Sequence, residues 1–182
     1  MSRYLWPQLA DVPHELGFVD AQGVQTRFLS AGVRENPALL LLHGFGSHLE
    51  TFFRNVAAFS RAHRVIAIDM LGHGYTDAPA RPYEVGDYVA HARATLAILG
   101  VERLGLVGVA LGSWVAARYA IDHPEEVESL TLCSPTGLTA DQEAMERVRK
   151  LSLDAVENPD TTKAQRRLPP CSSTRRGSRR TS

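Results

Sequence analysis

The chain has 182 residues, of which 44% are hydrophobic, and its formal net charge is zero. A chain of this size and composition can bury one sizeable core, which predicts a single globular domain. Its two cysteines, Cys133 and Cys171, give neither a disulfide framework nor a metal-ligand spacing, so we expect no metal site and a reducing, cytoplasmic setting. Residues 1–14 are interrupted by two prolines and an aspartate and lack the continuous apolar stretch of a signal peptide or membrane span, so we expect a soluble protein.

The neutral total hides an asymmetry between two parts of the chain. All 20 acidic residues lie at or before Asp160, together with 13 of the 20 basic residues, so this part has a net charge of −7. The seven remaining basic residues follow Asp160 and give the rest of the chain a charge of +7. Because the composition changes abruptly at this point, we expect the two parts to differ in structure.

From residue 17 to residue 135, short apolar runs alternate with longer helical patterns, which is typical of βαβ units in a mostly parallel sheet. The first predicted element is a hairpin of Gly17–Asp20 and Val24–Ser30, turned at 21–23. The run A-L-L-L-L-H at Ala38–His43 is continuously apolar, as in a strand covered by helices on both faces. We therefore predict that it is a central strand.

A helix is predicted after this central strand. Ser47 and Glu50 form an S-x-x-E capping box, and Phe52, Val56 and Phe59 recur at helical spacing. The later elements follow in chain order: a buried strand at Arg64–Asp69, a helix with apolar residues from Val85 to Leu99 that ends at Gly100, a strand at Leu104–Val109, a helix at Leu111–His123, a strand at Val127–Ser134 and an amphipathic helix at Asp141–Val156.

The pentapeptide Gly108-Val109-Ala110-Leu111-Gly112 lies between a predicted strand and a predicted helix. This is the setting of the nucleophile elbow G-x-S-x-G, where a sharp turn holds the nucleophile in a strained conformation and side chains beside it would collide. In this sequence the central residue, Ala110, is alanine. On the pentapeptide alone, an ordinary glycine-flanked turn remains the alternative interpretation.

Two further segments occur in order with this pentapeptide: L-L-L-L-H-G-F-G at Leu39–Gly46 and D-M-L-G-H-G-Y-T-D at Asp69–Asp77. Together with V-G-V-A-L-G-S at Val107–Ser113, they resemble the α/β-hydrolase superfamily over about residues 17–138. The resemblance implies the α/β-hydrolase fold, an α/β architecture with a mostly parallel, doubly wound sheet, here truncated before the last strands.

The resemblance also implies an oxyanion hole. In that family the loop after the third strand supplies one amide, which maps to the N–H of Phe45, and the residue after the nucleophile supplies the other, here Leu111. Both groups belong to the backbone, so alanine in place of serine at position 110 would leave them in place. The expected site is therefore Ala110 at the nucleophile position, these two amides, and the elbow glycines Gly108 and Gly112.

Other polar residues in these segments have structural interpretations. Ser113 lies on the first helical turn rather than at the apex of the elbow, so a role as substitute nucleophile is not favoured. His43 and His73 belong to family motifs in which they mainly organise loops. The other motif residues carried over with them are Gly44, Gly46, Asp69, Gly72 and Gly74. The family's catalytic acid and histidine follow later strands, so the resemblance assigns neither to this sequence, and it implies no cofactor.

The predicted organisation has three parts: the N-terminal part of the hydrolase core at 1–138, the start of a cap or lid region at 139–160, and a basic, disordered tail at 161–182. The tail has no acidic residue and only Leu168 as a large aliphatic residue, so it cannot form a core. It is either a basic arm for nucleic acid or an acidic surface, or the product of a shifted reading frame. We favour the shifted frame, because the change falls inside the expected cap region, and so expect no nucleic-acid partner.

A truncated sheet would leave Val127–Ser134 as an edge strand with unpaired backbone groups and an uncovered apolar face. Such an edge predicts self-association and marginal stability.

The resemblance implies a parent activity on a small-molecule substrate: hydrolysis of an ester, a thioester or a C–C bond in an activated ketone through a Ser-His-Asp triad. The segments L-G-S-W-V-A-A-R and D-M-L-G-H-G are similar to those of meta-cleavage product hydrolases, although H-G-F-G-S-H lacks the proline-containing form common there. Three hypotheses remain for this chain: an inactive hydrolase remnant, a pseudoenzyme that binds a small ligand over the oxyanion hole, and a basic-tailed interaction protein. Loss of the serine favours the first.

Overall fold

The computed structural model of the protein describes residues 6–135, all of which belong to one unit of the chain, Met1–Ala140. The predicted helix at Asp141–Val156, the basic tail and the predicted boundaries at residues 138 and 160 lie outside the described residues. They stay predictions.

The described residues form a six-stranded sheet with the order β1-β2-β4-β3-β5-β6. The pairs β1–β2 and β2–β4 are antiparallel, and the other three pairs are parallel. The strands are β1 His14–Asp20, β2 Gln25–Ala31, β3 Ala38–Leu42, β4 Arg64–Ile68, β5 Leu104–Val109 and β6 Val127–Cys133. The α-helices are α1 Phe53–Phe59, α2 Val85–Ile98 and α3 Leu111–Asp122, and short 3-10 helices lie at Trp6–Leu9, Leu49–Phe52 and Pro124–Glu126. The predicted α/β fold with a mostly parallel sheet is confirmed.

The central position predicted for the strand at residues 38–43 is also confirmed, because β3 lies between β4 and β5. Leu40 and Leu42 pack on one face of the sheet, and Leu39 and Leu41 pack on the other. The first face is covered by residues of α2 and α3, and the second by Phe53 and Val56 of α1. Each buried leucine contributes about 1.5–3 kcal/mol relative to an exposed one, so β3 is held from both sides.

The opening hairpin is longer than its sequence indicates. β1 begins at His14, three residues before the predicted start, because His14 and Glu15 pair with Ala31 and Ser30. Polar residues such as these are typical of a loop in sequence. They fit in β1 because it is an edge strand, whose side chains can remain in solvent. The hairpin turns through Gln22 and Gly23, and both have the positive φ that a two-residue type I′ turn requires.

The predicted capping box at Ser47 and Glu50 is wrong. The 3-10 helix Leu49–Phe52 begins after His48 without a side-chain cap, and the Ser47 hydroxyl instead bonds that of Thr51 at 2.5 Å. Glu50 binds the buried guanidinium of Arg27, a charge-assisted interaction that outweighs a cap on a neutral amide.

The capping box of the described residues lies at the start of α2, where Glu84 and Asp87 each accept a hydrogen bond from the backbone N–H of the other. The far end of α2 follows the prediction. Gly100 has φ +68 and its N–H bonds the carbonyl of Ala97, while the N–H of Val101 bonds that of Leu96, which is a Schellman motif. None of the helices in residues 6–135 combines the length and the hydropathy that a membrane span needs.

Candidate active site

The turn between β5 and α3 holds Ala110 in a rare backbone conformation, with φ +51° and ψ −111°. A Cβ on Gly108 would collide with the backbone of Gly112 and Ser113, and a Cβ on Gly112 would collide with the carbonyl oxygens of Leu42 and His43. Only glycine therefore fits at both flanks of Ala110. The strain at an alanine persists because the packed ends of β3, β5 and α3 surround it.

Hydrogen bonds fix this elbow to the neighbouring strand. The N–H of Ala110 donates to the carbonyl of Cys133 at the end of β6, at 3.0 Å. The hydroxyl of Ser113 is fully buried and lies 2.6 Å from the carbonyl of Gly108 and 3.1 Å from that of Cys133. Ser113 thus joins β5, β6 and α3, and its buried, bonded hydroxyl is unsuited to act as a nucleophile.

The loop after β3 passes directly beside the elbow. A Cβ on Gly44 would lie 3.3 Å from the Cβ of Ala110, so these two residues face each other. Phe45 lies between Gly44 and Gly46 and is 48% exposed, and Gly46 has a positive φ of +65°. Within residues 6–135, the N–H groups of Phe45 and Leu111 carry no hydrogen bond to another residue. Among the described residues, the two segments that meet at Gly44 and Ala110 therefore each carry one N–H group without a hydrogen-bond partner.

His43 connects this loop to the loop after β4. Its Nε2 accepts a hydrogen bond from the N–H of Met70 at 3.0 Å, so Nδ1 carries the proton and donates to the carbonyl of Gly44 at 2.7 Å. The ring is fully buried, and burial lowers the pKa of His43 to about 4. It is therefore neutral at pH 7, with both nitrogens engaged.

The loop after β4 contains His73 between two glycines with positive φ, Gly72 and Gly74. The Nδ1 of His73 lies 3.0 Å from the carbonyl of Leu71, and its ring packs edge-on against His43 and Phe45 with centroids 5.2 and 5.6 Å apart. A Cβ on Gly74 would collide with the carboxylate of Asp69, so glycine is required for the close approach of the chain to that group. His73 therefore contacts the loop that carries Phe45.

Asp69 is fully buried and holds three segments together. Its carboxylate accepts the N–H of Leu49 at 2.7 Å and the N–H of Tyr75 at 2.9 Å, and it lies 3.3 Å from the guanidinium of Arg27. Arg27 also donates to Glu50 at 2.6 Å. We call Arg27, Glu50 and Asp69 the buried ion cluster.

The charges of this cluster stabilise one another. Burial disfavours the charged form of Arg27, but the hydrogen bond and charge of Glu50 and the charge of Asp69 outweigh it, and the pKa of Arg27 is raised. Burial likewise opposes ionisation of Glu50, yet the hydrogen bond from Arg27 prevails and lowers the pKa of Glu50. Sequence reasoning missed Arg27 and assigned Glu50 to a helix cap. The one available signal was an arginine inside the β2 pattern, which by itself predicts an exposed side chain.

Other polar groups lie away from the elbow. His123, Glu125 and Glu126 form the one group of potential metal ligands among residues 6–135, with donor atoms within 4.8 Å of one another. They lie at the opposite end of α3 from Ala110, and Glu126 already binds Arg93 through both oxygens and the hydroxyl of Tyr119. We call Arg93, Tyr119 and Glu126 the helix-end cluster.

Comparisons with known proteins identify the family of the chain. Residues 37–170 match the family described as alpha/beta hydrolase fold. An uncharacterized protein of Mycobacterium tuberculosis is 36% identical over 152 residues, which cover 84% of this chain and 44% of that protein. The 2-hydroxymuconate semialdehyde hydrolase of Pseudomonas putida is 38% identical over 122 residues, which cover 61% of this chain and 43% of that enzyme.

Among solved structures, epoxide hydrolase A of Mycobacterium thermoresistibile superimposes with a TM-score of 0.66 at 26% identity, covering 75% of this chain and 45% of the enzyme. The chain spans less than half the length of each of these three proteins.

Proposed function

Because the chain belongs to the alpha/beta hydrolase fold family, we propose that Ala110 occupies the position of a hydrolase nucleophile and that the chain does not hydrolyse esters by the serine mechanism. The observation that carries this proposal is the strained turn at Ala110, flanked by glycines that tolerate no side chain and directly beside Gly44. A methyl group at the apex of this turn cannot form an acyl-enzyme, because it has no oxygen to attack a carbonyl.

The parent activity that the family supports is hydrolysis of an ester, or of a C–C bond in an activated ketone, through a Ser-His-Asp triad. In such a triad a carboxylate orients the histidine that removes the proton of the serine. Among the described residues, which include all seven histidines of the chain, the histidine bonded to a carboxylate is His48, and its partner Glu50 is already bound by Arg27. Neither His48 nor the doubly bonded His43 resembles a general base.

A second candidate function is binding of a small anion or ester over the Phe45 and Leu111 amides. It is favoured by these two N–H groups, which have no hydrogen-bond partner among residues 6–135, and by the N-terminus of the 12-residue helix α3, which attracts negative charge. These donors belong to the backbone and do not depend on a serine hydroxyl. The chain would then be a pseudoenzyme that retains an oxyanion hole.

Hydrolysis is tested with p-nitrophenyl acetate, using the 182-residue chain, Ala110→Gly and buffer. We expect the chain and Ala110→Gly to release p-nitrophenol at the same rate, without a burst. Ala110→Ser is also expected to show no burst, because His48 is the histidine bonded to a carboxylate within residues 6–135, and its partner Glu50 is held by Arg27. A burst from the unaltered chain that Ala110→Gly abolishes would contradict the proposal.

Ligand binding is tested by thermal unfolding in butyrate, with n-butanol as the uncharged control. We expect a saturable increase in Tm with butyrate and none with n-butanol, since only the carboxylate carries the negative charge that strengthens hydrogen bonds from the two amides and is favoured at the N-terminus of α3. Equal effects of the two compounds would reject the pseudoenzyme hypothesis.

The remaining expectations concern partners and location. Low cysteine content supports a cytoplasmic setting, and family membership supports a small-molecule partner. Self-association is supported by β6, which within residues 6–135 pairs with β5 alone and leaves Leu130 42% exposed. Light scattering should detect association that Leu130→Lys reduces, and a monomer at all concentrations would rule it out.

A further inference from the structure

Arg27 lies on β2, outside all three sequence segments that carry the family resemblance. Its side chain nevertheless binds Glu50, just after the loop that passes Ala110, and Asp69, at the start of the loop after β4. Glu50 follows the H-G-F-G-S-H loop after β3, and Asp69 begins the loop after β4. We propose that Arg27 is a positioning residue for the Phe45 amide and that it acts through Glu50 and Asp69. This inference rests on the proposed role of that amide.

The loop that carries Phe45 is attached at both of its ends. At its start, His43 accepts the N–H of Met70. At its end, the N–H of Leu49 donates to Asp69, and Glu50 binds Arg27. Phe45 lies between these attachments, next to Gly44 and Gly46, whose backbones are intrinsically free. Inside the loop, the Gly44 carbonyl accepts hydrogen bonds from His43 Nδ1 and from the N–H of Ser47, at 2.7 and 3.2 Å. These local bonds fix the turn at Phe45, and the end attachments fix where that turn lies relative to the rest of the molecule.

Arg27 holds the second loop as well, and here it also uses its own backbone. Its N–H donates to the hydroxyl of Thr76 at 3.0 Å, and its carbonyl accepts the N–H of Asp69 at 3.0 Å. The ring of Tyr75, which is 72% exposed, covers the guanidinium at 4.8 Å from its centroid. Tyr75 also donates its N–H to Asp69, so its ring and the guanidinium are held by the same carboxylate.

The planar guanidinium is what allows one side chain to bind two carboxylates. Its NH1 binds Asp69 and its NH2 binds Glu50, from residues that are fully or nearly fully buried. Lysine at this position would keep the positive charge, but its side chain ends in a single ammonium nitrogen, which cannot reproduce the two contacts of the planar guanidinium. Arg27→Lys therefore changes the geometry of the loops while it preserves the charge of the cluster.

The test uses the full ¹⁵N-labelled chain, Arg27→Lys, and the matched control Arg93→Lys in the helix-end cluster. We expect Arg27→Lys to raise the hydrogen-exchange rates of the Leu49 and Tyr75 amides at least tenfold, while Leu40 and Ile66 in the sheet change less than twofold. The order parameter of Phe45 should fall from about 0.85 to below about 0.6. Arg93→Lys should change none of these quantities.

A purely structural role of Arg27 gives a different result, namely equal acceleration of exchange in the loops and in the sheet, and that result would overturn the inference. So would loops that exchange at the unaltered rate in Arg27→Lys. If Arg27→Lys does not fold, Glu50→Gln removes one carboxylate and should mobilise Phe45 and Leu49 while Tyr75 stays protected. Unchanged Phe45 and Leu49 in Glu50→Gln would equally reject it.

Butyrate separates this inference from the proposed function. If butyrate shifts the Phe45 and Leu111 amide signals of the unaltered chain, the same titration should lose its effect on Phe45 in Arg27→Lys. If butyrate shifts neither signal, ligand binding fails, while the exchange rates and order parameters still decide whether Arg27 positions the loop.

Discussion

Two arginine–carboxylate clusters lie at different places in the molecule, and burial sets them apart. In the buried ion cluster, Arg27 is shielded from water and joins β2 to the segments that follow β3 and β4. In the helix-end cluster, Arg93 binds Glu126 with both partners partly in solvent. Distances alone would rank the two alike, because each has one short, charge-assisted hydrogen bond, Arg27–Glu50 at 2.6 Å and Arg93–Glu126 at 2.5 Å. An arginine–carboxylate pair therefore fixes the segments that carry it when it is buried, because breaking it leaves an unpaired charge in the interior. When it is partly exposed, water can replace the lost contact and the pair contributes little to stability.

The largest expected effect follows from removing the buried cation. Arg27→Met leaves the Asp69 and Glu50 carboxylates buried without their partner, and should lower the free energy of unfolding by about 3–5 kcal/mol. Arg93→Met, in the exposed cluster, should cost about 0–1 kcal/mol because water replaces the lost contact. Urea denaturation of the two variants measures the difference. Equal losses would show that burial does not distinguish the clusters.

A smaller effect is expected at the elbow, where backbone crowding rather than charge is responsible. Gly112→Ala would press a methyl group against the carbonyls of Leu42 and His43, at a cost of about 3 kcal/mol. Gly86→Ala in the first turn of α2 meets no atom within 4 Å and should stabilise the chain by up to about 1 kcal/mol. Thermal unfolding compares the two, and a harmless Gly112→Ala would mean that the elbow is less tightly packed than the structure describes.

The smallest expected effect is the pH dependence of stability that two buried histidines cause, His43 at the site and His91 on α2. Burial lowers the pKa of each from 6.5 to about 4, so the folded chain binds these protons more weakly than the unfolded chain. The contribution of these two histidines to the free energy of unfolding should therefore be fully present above about pH 6.5 and should be lost as the pH is lowered towards 4. At pH 4.5 each histidine should cost on the order of 2 kcal/mol.

His91→Gln tests this pH dependence away from the site, because Gln can still bond the hydroxyl of Thr26, which lies 2.7 Å from His91 Nε2. Urea denaturation at pH 7 and pH 4.5 should show a smaller acid-induced loss in His91→Gln than in the unaltered chain. An identical loss in both proteins would mean that His91 is not the group that titrates.

The sequence predicted the fold where the local residue types decide the structure. The run Ala38–His43 identified the central strand, and Gly100 identified the end of α2, because burial on both faces and a left-handed cap each leave a direct signature in residue type. The 3-10 helix after His48 and the start of β1 at His14 were not predicted, since both depend on partners distant in the chain: Arg27 for Glu50, and Ala31 for His14.

The candidate site divides in the same way. The glycines at positions 108 and 112 were expected from the motif. In the structure, neighbouring backbone atoms lie so close to each of them that any side chain would collide. Arg27 could not be recognised, because nothing in an isolated strand sequence indicates that one of its polar residues faces two buried carboxylates. Long-range charge pairing is the part of the site that pattern does not encode.

The central claim is that Ala110 lies where a nucleophile would lie, facing the amides of Phe45 and Leu111. A crystal structure of the chain with butyrate tests it most directly. We predict positive φ at Ala110 and one carboxylate oxygen within about 3.2 Å of both amide nitrogens. Butyrate bound elsewhere, with the Phe45 N–H directed away from Ala110, would contradict the claim.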